Sequence, residues 1–479
     1  MVRYPQYPNY KPTPCSWLKE VPEHWSFKRL KYVATHNDEV LDEQTDPDFE
    51  IEYVDISSVS LTNGIEESEA LKFEKSPSRA RRKVKHGDII VSTVRTYLKA
   101  IAPISNPPDN MIVSTGFAVV RPMSNLHSGY AGYLLQSNGF VGEVVANSVG
   151  VSYPAINASD LVRIVAVEPP FDEQEAIARF LDFKTAQIDA LIAKKQTLLE
   201  KLAEKRTALI GHAVTKGLDP SAPMKDSGVE WLGEVPAHWK AKRLKFVIAE
   251  PLKYGANEAA ELTDTDLPRY IRITDVNEDG TLREETFRSL PQDVARNYLL
   301  SDGDVLLARS GATVGKSFIY KPSWGISAYA GYLIRARMSN LMEADFAYLF
   351  LQSTYYWQWL NSVIIQATIQ NVSAEKYANL IIPVPPIDEQ SNIVSYLLSQ
   401  LKKVDAQSAR ASLAIDRLIE YRSALITNAV TGKIDVRDFP VPECVGWAQP
   451  YRAHAGSRVD SVGTTSCPPY ETGNEINHA

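Results

Sequence analysis

The sequence SWLKEVPEHWSFKRLKYV at residues 16–33 returns as EWLGEVPAHWKAKRLKFV at residues 230–247. In both copies a Trp–Leu pair precedes an EVP segment, a His–Trp pair and the basic sequence KRLK, and Trp17 recurs as Trp231, 214 positions further on. A repeat with so long a period indicates duplication of a whole domain. The two copies therefore predict a chain made of two related halves.

Further segments repeat in the same order, most clearly at the ends of each half. They are VEPPFDEQEAIARFLD (167–182) with PVPPIDEQSNIVSYL (383–397), RTALIGHAVTKG (206–217) with RSALITNAVTGK (422–433), HGDIIVST (86–93) with DGDVLLAR (302–309), and GYAGYLLQS (129–137) with DFAYLFLQS (345–353). Loops in the middle, such as TYLKAIAPISNPP (96–108) and GATVGKSFIYKPSWG (311–325), share little beyond position. A common scaffold with two different surfaces is expected.

The composition is that of an ordinary soluble protein with more than one domain. The chain has 479 residues, whereas a single hydrophobic core stops growing at ~250 to 300 residues. It is 44% hydrophobic and 23% charged, and it contains no apolar run near the ~18 residues that a membrane helix needs. The N-terminus is polar, so no secretory signal is expected, and the three cysteines are far apart. We expect a cytoplasmic protein with reduced thiols.

The charge distribution restricts any nucleic-acid surface to local patches. The net charge is −7, which argues against a uniformly basic protein. Basic clusters occur in SRARRKVK (78–85) and in the two KRLK segments (28–31 and 242–245). A solvated charged face is the simpler interpretation of each cluster.

Each half combines short strands with one long helix. The segments YVDISSV, GDIIVST and STGFAVVRP, and their counterparts YIRITDV, GDVLLAR and AGYLIRA, are β-branched or aromatic and are bounded by Gly, Pro, Asn or Asp. A mixed α+β domain of roughly 150 residues follows. Each half then closes with PPFDEQ or PPIDEQ, in which Asp172 or Asp388 is a candidate N-cap for a helix.

The two closing helices carry narrow apolar stripes at near-heptad spacing. The stripe positions are Ile188, Leu191, Leu198, Leu202 and Leu209 in the first copy, and Val404, Ala411, Leu418 and Leu425 in the second. Helices of nearly 40 residues would be rods of roughly 60 Å, too long to be buried in one globule. We expect the two helices to pair with each other and so to fix the separation of the two domains.

Several motifs suggest catalysis, and each has a simpler explanation. SNPPDN (105–110) lacks the aromatic residue of the NPP-aromatic loop of amino-methyltransferases, and GATVGKS (311–317) is one residue short of a phosphate-binding loop. His24 and His238 occur without a metal-ligand set, which favours a turn-stabilising role beside a buried tryptophan. The repeated DEQ is explained by helix capping. We therefore assign no catalytic, metal or cofactor site.

These repeated segments, together with DSGVEWLGEVPAHW (226–239) and LLARSGATVGK (306–316), resemble the specificity subunits of type I restriction-modification enzymes in order and spacing. The resemblance implies a tandem duplication of two α+β target-recognition domains joined by two long helices in an antiparallel coiled coil. It also implies a non-catalytic protein that reads a bipartite site in double-stranded DNA. The implied partners are two methyltransferase subunits and two restriction subunits with translocase and nuclease activity. S-adenosylmethionine, ATP and Mg²⁺ would be used by those partners and not by this chain.

The resemblance, together with the proline- and glycine-rich stretches that end helices and strands, divides the chain into seven segments. They are an N-terminal extension (1–15), a first target-recognition domain (16–168), a central helix (169–215), a Pro/Gly-rich linker (216–229), a second target-recognition domain (230–384), a C-terminal helix (385–433) and a polar tail (434–479). Residues beyond about 440 are expected to be loosely ordered.

Candidate DNA-contacting residues lie where the halves differ, because base readout needs donors and acceptors on loops with distinct side chains. In the first half they are Arg79, Arg81, Arg82 and Lys83 for phosphates, with Thr93, Arg95, Tyr97, Lys99, Tyr153 and Asn157 on loops. In the second half they are Arg272, Arg309, Ser310, Thr313, Lys316, Gln370 and Asn371.

Three other functions remain open at this stage. The chain could be an assembly protein that has lost specific DNA reading, or the specificity subunit of a related system that only methylates. A self-sufficient enzyme is the third alternative, and it requires a catalytic constellation that the sequence does not display.

Overall fold

A computed structural model describes residues 4–15, 17–150, 153–277, 280–365 and 371–442. The chain divides into two compact units: unit 1 is Met1–Leu191 with Arg417–Ala479, and unit 2 is Ile192–Asp416. Each unit holds one globular part with strands and short helices, together with portions of two long helices. The expected fold class, an α+β duplication with two long helices, is confirmed.

The first globular part precedes the first long helix. Its strands are β1 (Tyr10–Pro12), β2 (Glu20–Pro22), β3 (Ser26–Arg29), β4 (Ala34–His36), β5 (Glu50–Val54), β6 (Val59–Ser60), β7 (Gly64–Ile65), β8 (Glu69–Lys72), β9 (Ala80–Lys83), β10 (Ile89–Ser92), β11 (Ile101–Pro103), β12 (Met111–Ser114), β13 (Phe117–Pro122) and β14 (Val165–Glu168). Its helices are α1 (Ser128–Gln136), α2 (Asn138–Ala146) and α3 (Ala158–Leu161), followed by the long helix α4 (Phe171–Lys216).

The second globular part has a similar order of elements. Its strands are β15 (Met224–Asp226), β16 (Glu234–Pro236), β17 (Lys240–Arg243), β18 (Lys253–Tyr254), β19 (Arg269–Ile271), β20 (Val305–Ala308), β21 (Ser317–Ile319), β22 (Ser327–Tyr329), β23 (Leu333–Ala336) and β24 (Ile381–Val384). Its helices are α5 (Gln292–Ala295), α6 (Ala344–Phe350), α7 (Thr354–Ile365) and α8 (Ala374–Ala378), followed by the long helix α9 (Ile387–Val430).

Two small sheets form the centre of each globular part. In unit 1 the sheets have the orders β11-β10-β13-β4 and β8-β5-β12-β9, and β5 runs parallel to β12. In unit 2 they are β18-β23-β20-β21 and β19-β22, with β19 parallel to β22. Strands β10 and β20 are apolar along most of their length and buried throughout, as central strands of a covered sheet should be.

A buried ion pair explains the aspartate in the repeated GDII and GDVL segments. Asp88 is 1% exposed and accepts two 2.8 Å hydrogen bonds from Nε and Nη2 of Arg121. Asp304 is fully buried and accepts two 2.7 Å bonds from the same atoms of Arg337. Such two-pronged pairing compensates the desolvation of a buried carboxylate. In each unit the aspartate directly precedes one strand and the arginine lies in or directly after the neighbouring strand. The ion pair is therefore part of the scaffold that both units share.

The DEQ motif connects the start of each long helix to its globular part. Because α4 begins at Phe171 and α9 at Ile387, Asp172 and Asp388 lie inside the first turn of their helices, and their interpretation as N-caps is wrong. Gln174 instead accepts a 2.8 Å bond from the backbone N–H of His127 and donates 2.9 Å to the carbonyl of Pro169. Gln390 makes the equivalent bonds to Glu343 and Pro385. The motif anchors the helix by its Gln side chain, which is buried in both copies.

The two long helices contact each other within each unit through an ion pair. In unit 1, Nε of Arg422 in α9 lies 2.9 Å from Oδ1 of Asp189 in α4. In unit 2, Nη1 of Arg206 in α4 lies 3.1 Å from Oδ1 of Asp405 in α9.

The buried stripe of α4 differs in part from the prediction. Ile188 and Leu202 are 5% exposed, as expected of stripe positions, whereas Leu191 and Leu198 are 48% and 41% exposed. The buried neighbour of Ile188 is Ile192, four residues on, at 8% exposure. A helical turn takes 3.6 residues, so positions three and four residues on are both near the seam, and only packing decides between them.

The chain segments at both ends of the sequence pack within unit 1. Strand β1 pairs with β2, and the ring of Tyr7 is 3% exposed. After α9, the backbone N–H of Asp435 donates 2.8 Å to the carbonyl of Pro5, and the ring of Phe439 lies edge-on to that of Phe180 at 4.9 Å between centroids. Residues 4–12 and 434–439 are therefore parts of the folded unit.

Some sequence predictions fall on residues outside the described ranges. These are Ser16, Gln370, and the expected loose order beyond about residue 440 in so far as it concerns residues 443–479. Within the described ranges no helix is long and apolar enough to cross a membrane. The same residues contain no group of three or more His, Cys, Asp and Glu side chains that could hold a metal ion.

Candidate nucleic-acid interface

One loop occupies the same place in both units and carries different side chains in each. In unit 1, the backbone N–H of Ile156 donates 2.8 Å to the carbonyl of Thr93. In unit 2, the backbone N–H of Val372 donates 2.8 Å to the carbonyl of Arg309. Each residue of the second pair stands 216 positions after its counterpart in the first. The bridges of Val94 with Ala155 and of Ser310 with Asn371 follow the same offset.

The segment after each of these strands contains a short 3-10 turn and has left-handed residues at equivalent positions. Arg95 and Lys99 flank the turn at Thr96–Leu98 with φ of +50° and +54°. Gly311 and Gly315, 216 positions further on, have φ of +75° and +86°, and Gly311 is the first residue of the turn at Gly311–Thr313. Left-handed backbone costs a residue with a Cβ atom roughly 1 to 2 kcal/mol, a cost that glycine does not have. Unit 1 therefore places two cations in strained positions where unit 2 has glycine.

Exposed aromatic and apolar side chains surround the unit 1 turn. The guanidinium carbon of Arg95 lies 4.9 Å from the ring centroid of Tyr153, whose side chain is 65% exposed. Tyr97 and Leu98 are both 51% exposed, and Val149 is 81% exposed. Arg95 makes no ion pair with any residue that the structure describes. This combination of a stacked cation with open aromatic surface suits contact with nucleic acid.

The unit 2 loop also holds an arginine against a tyrosine. The guanidinium carbon of Arg309 lies 4.6 Å from the ring centroid of Tyr254, and its Nε is 3.5 Å from Oδ1 of Asn371. Tyr332, whose carbonyl accepts from the backbone N–H of Arg309, is 65% exposed. A shallow cavity of about 360 Å³ opens beside it, lined among others by Tyr270 and Thr313.

The four basic candidates of the SRARRKVK segment lie on or beside edge strand β9. Arg79 pairs with Asp55 at 3.3 Å, and Arg81 lies over the ring of Phe73 at 4.7 Å. Burial lowers the pKa of Arg82, and its Nε has no hydrogen-bond partner among the described atoms. Lys83 is exposed. Arg79 lies near the loop after β10, because its carbonyl accepts from the backbone N–H of Thr115, next to the Gly116 carbonyl that accepts from the N–H of Thr93.

Several other candidates are engaged inside the protein. Thr93 donates its hydroxyl to the carbonyl of Gly116 at 2.9 Å, and Asn157 lies 3.4 Å from Asp160. Arg272 donates hydrogen bonds from Nε and Nη2 to Asp275 at 3.0 and 2.7 Å. Its Nη2 also donates to the carbonyl of Thr286. Ser310 and Thr313 are half-buried in the loop, and Lys316 is exposed.

Sequence reasoning missed the tyrosines of unit 2. Tyr254 and Tyr332 lie outside the loop after β20 in sequence. The pairing of β18 with β23 brings Tyr254 to Arg309, and the carbonyl of Tyr332 accepts from the backbone N–H of Arg309. In unit 1 it missed Leu98 and Val149. An exposed apolar residue in a segment that differs between the halves is the signal that would have found these two.

The two loops that suggested catalysis have other structures. GATVGKS forms a 3-10 turn at Gly311–Thr313 and continues directly into strand β21. A phosphate-binding loop would continue into a helix, so an NTP site is excluded there. In SNPPDN, the side chain of Asn110 donates 3.1 Å to the carbonyl of Glu50, and the segment leads into strand β12.

Comparisons with known proteins agree on one family. Residues 239–411 match the family model described as the type I restriction modification DNA specificity domain. The chain is 24% identical over 324 residues to the type I restriction enzyme EcoKI specificity subunit of Escherichia coli strain K12, an alignment that spans 66% of this chain and 68% of that relative. It is 23% identical over 300 residues to the MjaVIII specificity subunit of Methanocaldococcus jannaschii, over 60% of this chain and 66% of that one.

A solved structure has a similar fold. A chain from a structural study of complex assembly and conformational transition in a type I R-M system superposes with a TM-score of 0.64 at 24% identity. The superposition covers 86% of this chain and 99% of the other. The fold is therefore one already seen in such a system.

Proposed function

Because the chain belongs to the specificity subunits of type I restriction-modification enzymes, we propose that it reads DNA sequence and that each unit recognises one part of a bipartite site. Recognition of double-stranded DNA would take place at the loop after β10 in unit 1 and at the loop after β20 in unit 2.

The pair of equivalent loops is the observation that supports this proposal most strongly. The backbone bonds of Thr93 with Ile156 and of Arg309 with Val372 are the same, so the framework of the two loops is shared. The side chains differ, and each loop still places an arginine over a tyrosine ring. Two readers built on one framework with different side chains would recognise two different half-sites.

The chain itself would catalyse no reaction. We propose two methyltransferase subunits and two restriction subunits as partners in the cytoplasm, with S-adenosylmethionine, ATP and Mg²⁺ bound by those subunits. The exposed leucines of the long helices, such as Leu198 and Leu413, offer apolar surface for these partners at 41% and 50% exposure. Adenine methylation or ATP-dependent cleavage would then follow the sequence read by this chain.

An exchange of reading segments tests the proposal. Residues 53–159 are replaced by the corresponding segment of a relative, and the methylated motif of the host genome is sequenced with the partner subunits present. One half-site should change while the other half-site and the spacing stay the same. A control exchange of 270–374 should change the other half-site alone. A motif that changes as a whole, or not at all, would contradict the two-reader proposal.

Binding to cognate and scrambled duplexes separates specific reading from a role in assembly alone. For the reconstituted complex at ~0.15 M salt, a specific reader should bind the cognate duplex at least ~10³-fold more tightly. Equal affinities would instead favour an assembly protein. Retention of methylation without any cleavage in the complete complex would favour a system that only methylates.

A further inference from the structure

We propose that Arg309 reads a guanine in the half-site of unit 2, and that Tyr254 is the residue that positions it. This inference rests on the proposed function and gives the unit 2 site a base identity. It starts from the contacts of the Arg309 guanidinium, which differ from those of the other loop arginines in this unit.

Two contacts fix the orientation of Arg309. The ring of Tyr254 lies 4.6 Å from its guanidinium carbon, so one face of the guanidinium is covered. Nε is 3.5 Å from Oδ1 of Asn371, so one edge faces the protein. The backbone around it is also fixed, because its N–H and its carbonyl are bonded to Tyr332 and Val372.

The opposite edge of the same guanidinium is unused by the described residues. Neither Nη1 nor Nη2 of Arg309 has a hydrogen bond or ion pair within the part of the chain that the structure describes. Arg272 is the useful contrast, because its Nε and Nη2 are bound to Asp275 and its Nη2 also to Thr286. Arg335 and Arg337 likewise pair with Glu250. Among the described residues, Arg309 therefore has no internal partner for these two donors, whereas Arg272, Arg335 and Arg337 use theirs in ion pairs.

Tyr254 is itself held in place. It pairs with Ile334 in the sheet, and its hydroxyl accepts a 3.0 Å bond from the backbone N–H of Ala374 at the start of α8. A ring fixed at both ends transmits its orientation to the guanidinium stacked on it. Arginine stacks on an aromatic face and retains its in-plane donors while doing so.

Guanine is the base that fits an oriented pair of donors. In the major groove it presents two adjacent acceptors, O6 and N7, whereas adenine offers an acceptor beside a donor, thymine one acceptor and cytosine a donor. A phosphate also accepts arginine, often through two parallel bonds, but such a contact carries no sequence information, so the dependence of binding on sequence separates the two ligands. The guanidinium is held by the ring of Tyr254, whose side chain is 40% exposed, and by Asn371, and a plane fixed in this way suits the two adjacent acceptors of guanine.

Unit 1 supplies an internal comparison. Arg95 also lies over a tyrosine, but Tyr153 is 65% exposed. Ala155 stands at the position equivalent to Asn371 and has no side-chain acceptor for a guanidinium nitrogen. Arg95 is less firmly oriented, so the inference is confined to unit 2.

The experiment compares methylated motifs in hosts that carry the complete complex with wild-type chain, Arg309→Lys, Tyr254→Ala or Tyr254→Phe. The lysine substitution keeps the positive charge and removes the planar guanidinium with its two parallel donors. The wild type should give a bipartite motif with a guanine in the half-site of unit 2, identified as the half that survives exchange of residues 53–159. Arg309→Lys should lower the preference for guanine over other bases at that position by about 10- to 100-fold and leave the other half-site unchanged. Tyr254→Ala should lower this preference by a smaller factor. Tyr254→Phe, which keeps the ring, should lower it least.

A matched control and a second measurement keep the outcomes separate. Arg410→Lys makes the same change on helix α9 and should leave the motif unaltered. If Arg309→Lys does not assemble, wild-type complex is tested on cognate duplex with 7-deazaguanine at the proposed position, which removes N7. Binding should fall by about 10-fold or more.

Different failures have different meanings. A wild-type complex with no bipartite motif would overturn the proposed function itself. A bipartite motif without guanine in that half-site, or an undiminished guanine requirement in Arg309→Lys, would overturn only the present inference. So would a uniform loss of affinity on all sequences with a smaller salt dependence, since that result identifies a phosphate contact.

Discussion

Nε1 of Trp239 donates a 3.0 Å hydrogen bond to Oε1 of Glu389. The other oxygen of this carboxylate lies 2.8 Å from Nε2 of His238. In unit 1, Trp25 and His24 bond to Glu173 in the same way. The glutamate of the DEQ motif thus ties the first turn of each long helix to the repeated His–Trp turn, and this explains why both segments occur in both halves.

Removal of this carboxylate in unit 1 should lower stability. In Glu173→Ala the buried indole N–H of Trp25 has no acceptor, which costs about 1 to 3 kcal/mol. Glu173→Gln keeps an acceptor oxygen and should lose less. Thermal unfolding followed by calorimetry should rank wild type, Gln and Ala in that order, with Ala lower by several degrees. Glu175→Ala, an exposed change in the same turn, is the control, and an equal Tm for Glu175→Ala and Glu173→Ala would refute this role.

The glycines that follow the two long helices should respond differently to alanine. Gly432 has φ of +71°, and a Cβ there would lie 2.3 Å from Cδ of Pro22. Gly217 has φ of +77°, and its Cβ would be 3.3 Å from Cζ2 of Trp239. Both substitutions incur the left-handed cost of roughly 1 kcal/mol, but only Gly432→Ala also forces a proline to move. Urea unfolding should show the larger loss for Gly432→Ala. A larger loss for Gly217→Ala would contradict the packing described for unit 1.

Stability and DNA binding should change in opposite directions at Arg95. Its φ of +50° is strained for arginine, and the equivalent residue in unit 2 is Gly311. Arg95→Gly should therefore stabilise the chain by up to ~1 kcal/mol while weakening DNA binding by the complex. Arg95→Ala is the control, because it removes the same guanidinium and keeps the strain, so it should weaken binding without the gain in Tm. If the Arg95→Gly variant is stable and its affinity for DNA is unchanged, Arg95 does not contribute to the interface with DNA.

Asp182 should make stability depend on pH. Burial raises the pKa of its carboxyl, while the hydroxyl of Tyr133 donates to it at 2.7 Å. A raised carboxyl pKa means that the folded state disfavours the charged form, so wild type is penalised at pH values above the usual aspartate range near ~4. Asp182→Asn keeps the acceptor and should raise the Tm at pH 7, and this gain should shrink as the pH falls towards 4. A gain that is the same at both pH values would point to a cause other than ionisation.

Much of the scaffold was predictable because it depends on local or repeated patterns. The PPFDEQ and PPIDEQ segments mark helix starts through prolines that end a strand and acidic residues in the first turn. Helices of 46 and 44 residues follow. The exact stripe was less predictable, because Leu191 and Ile192 are equally apolar and only packing selects one of them.

The function of the DEQ and GD motifs was not predictable from local rules. Capping explained the acidic residues of DEQ well enough on sequence grounds, but the partners of Glu173 and Gln174 are distant in sequence, and His24 and Tyr7 lie 149 and 166 positions from Glu173. Asp88 likewise finds Arg121 across a sheet. Interactions between residues so distant in sequence leave no periodic signal, so repetition indicated that these residues matter without indicating what they bind.

By itself the sequence determined the duplication, the α+β class, the long helices and the loops in which the halves differ, because repeats, periodicity and turn residues are local properties of the chain. Only the tertiary structure decided which cations of those loops are available. Arg272 and Arg309 are both arginines beside short strands. Arg272 binds Asp275, only three residues on, whereas folding brings Tyr254 and Asn371 to Arg309 from 55 and 62 positions away. A guanidinium that meets a carboxylate is neutralised within the protein, and one that meets an aromatic face keeps its donors for a ligand.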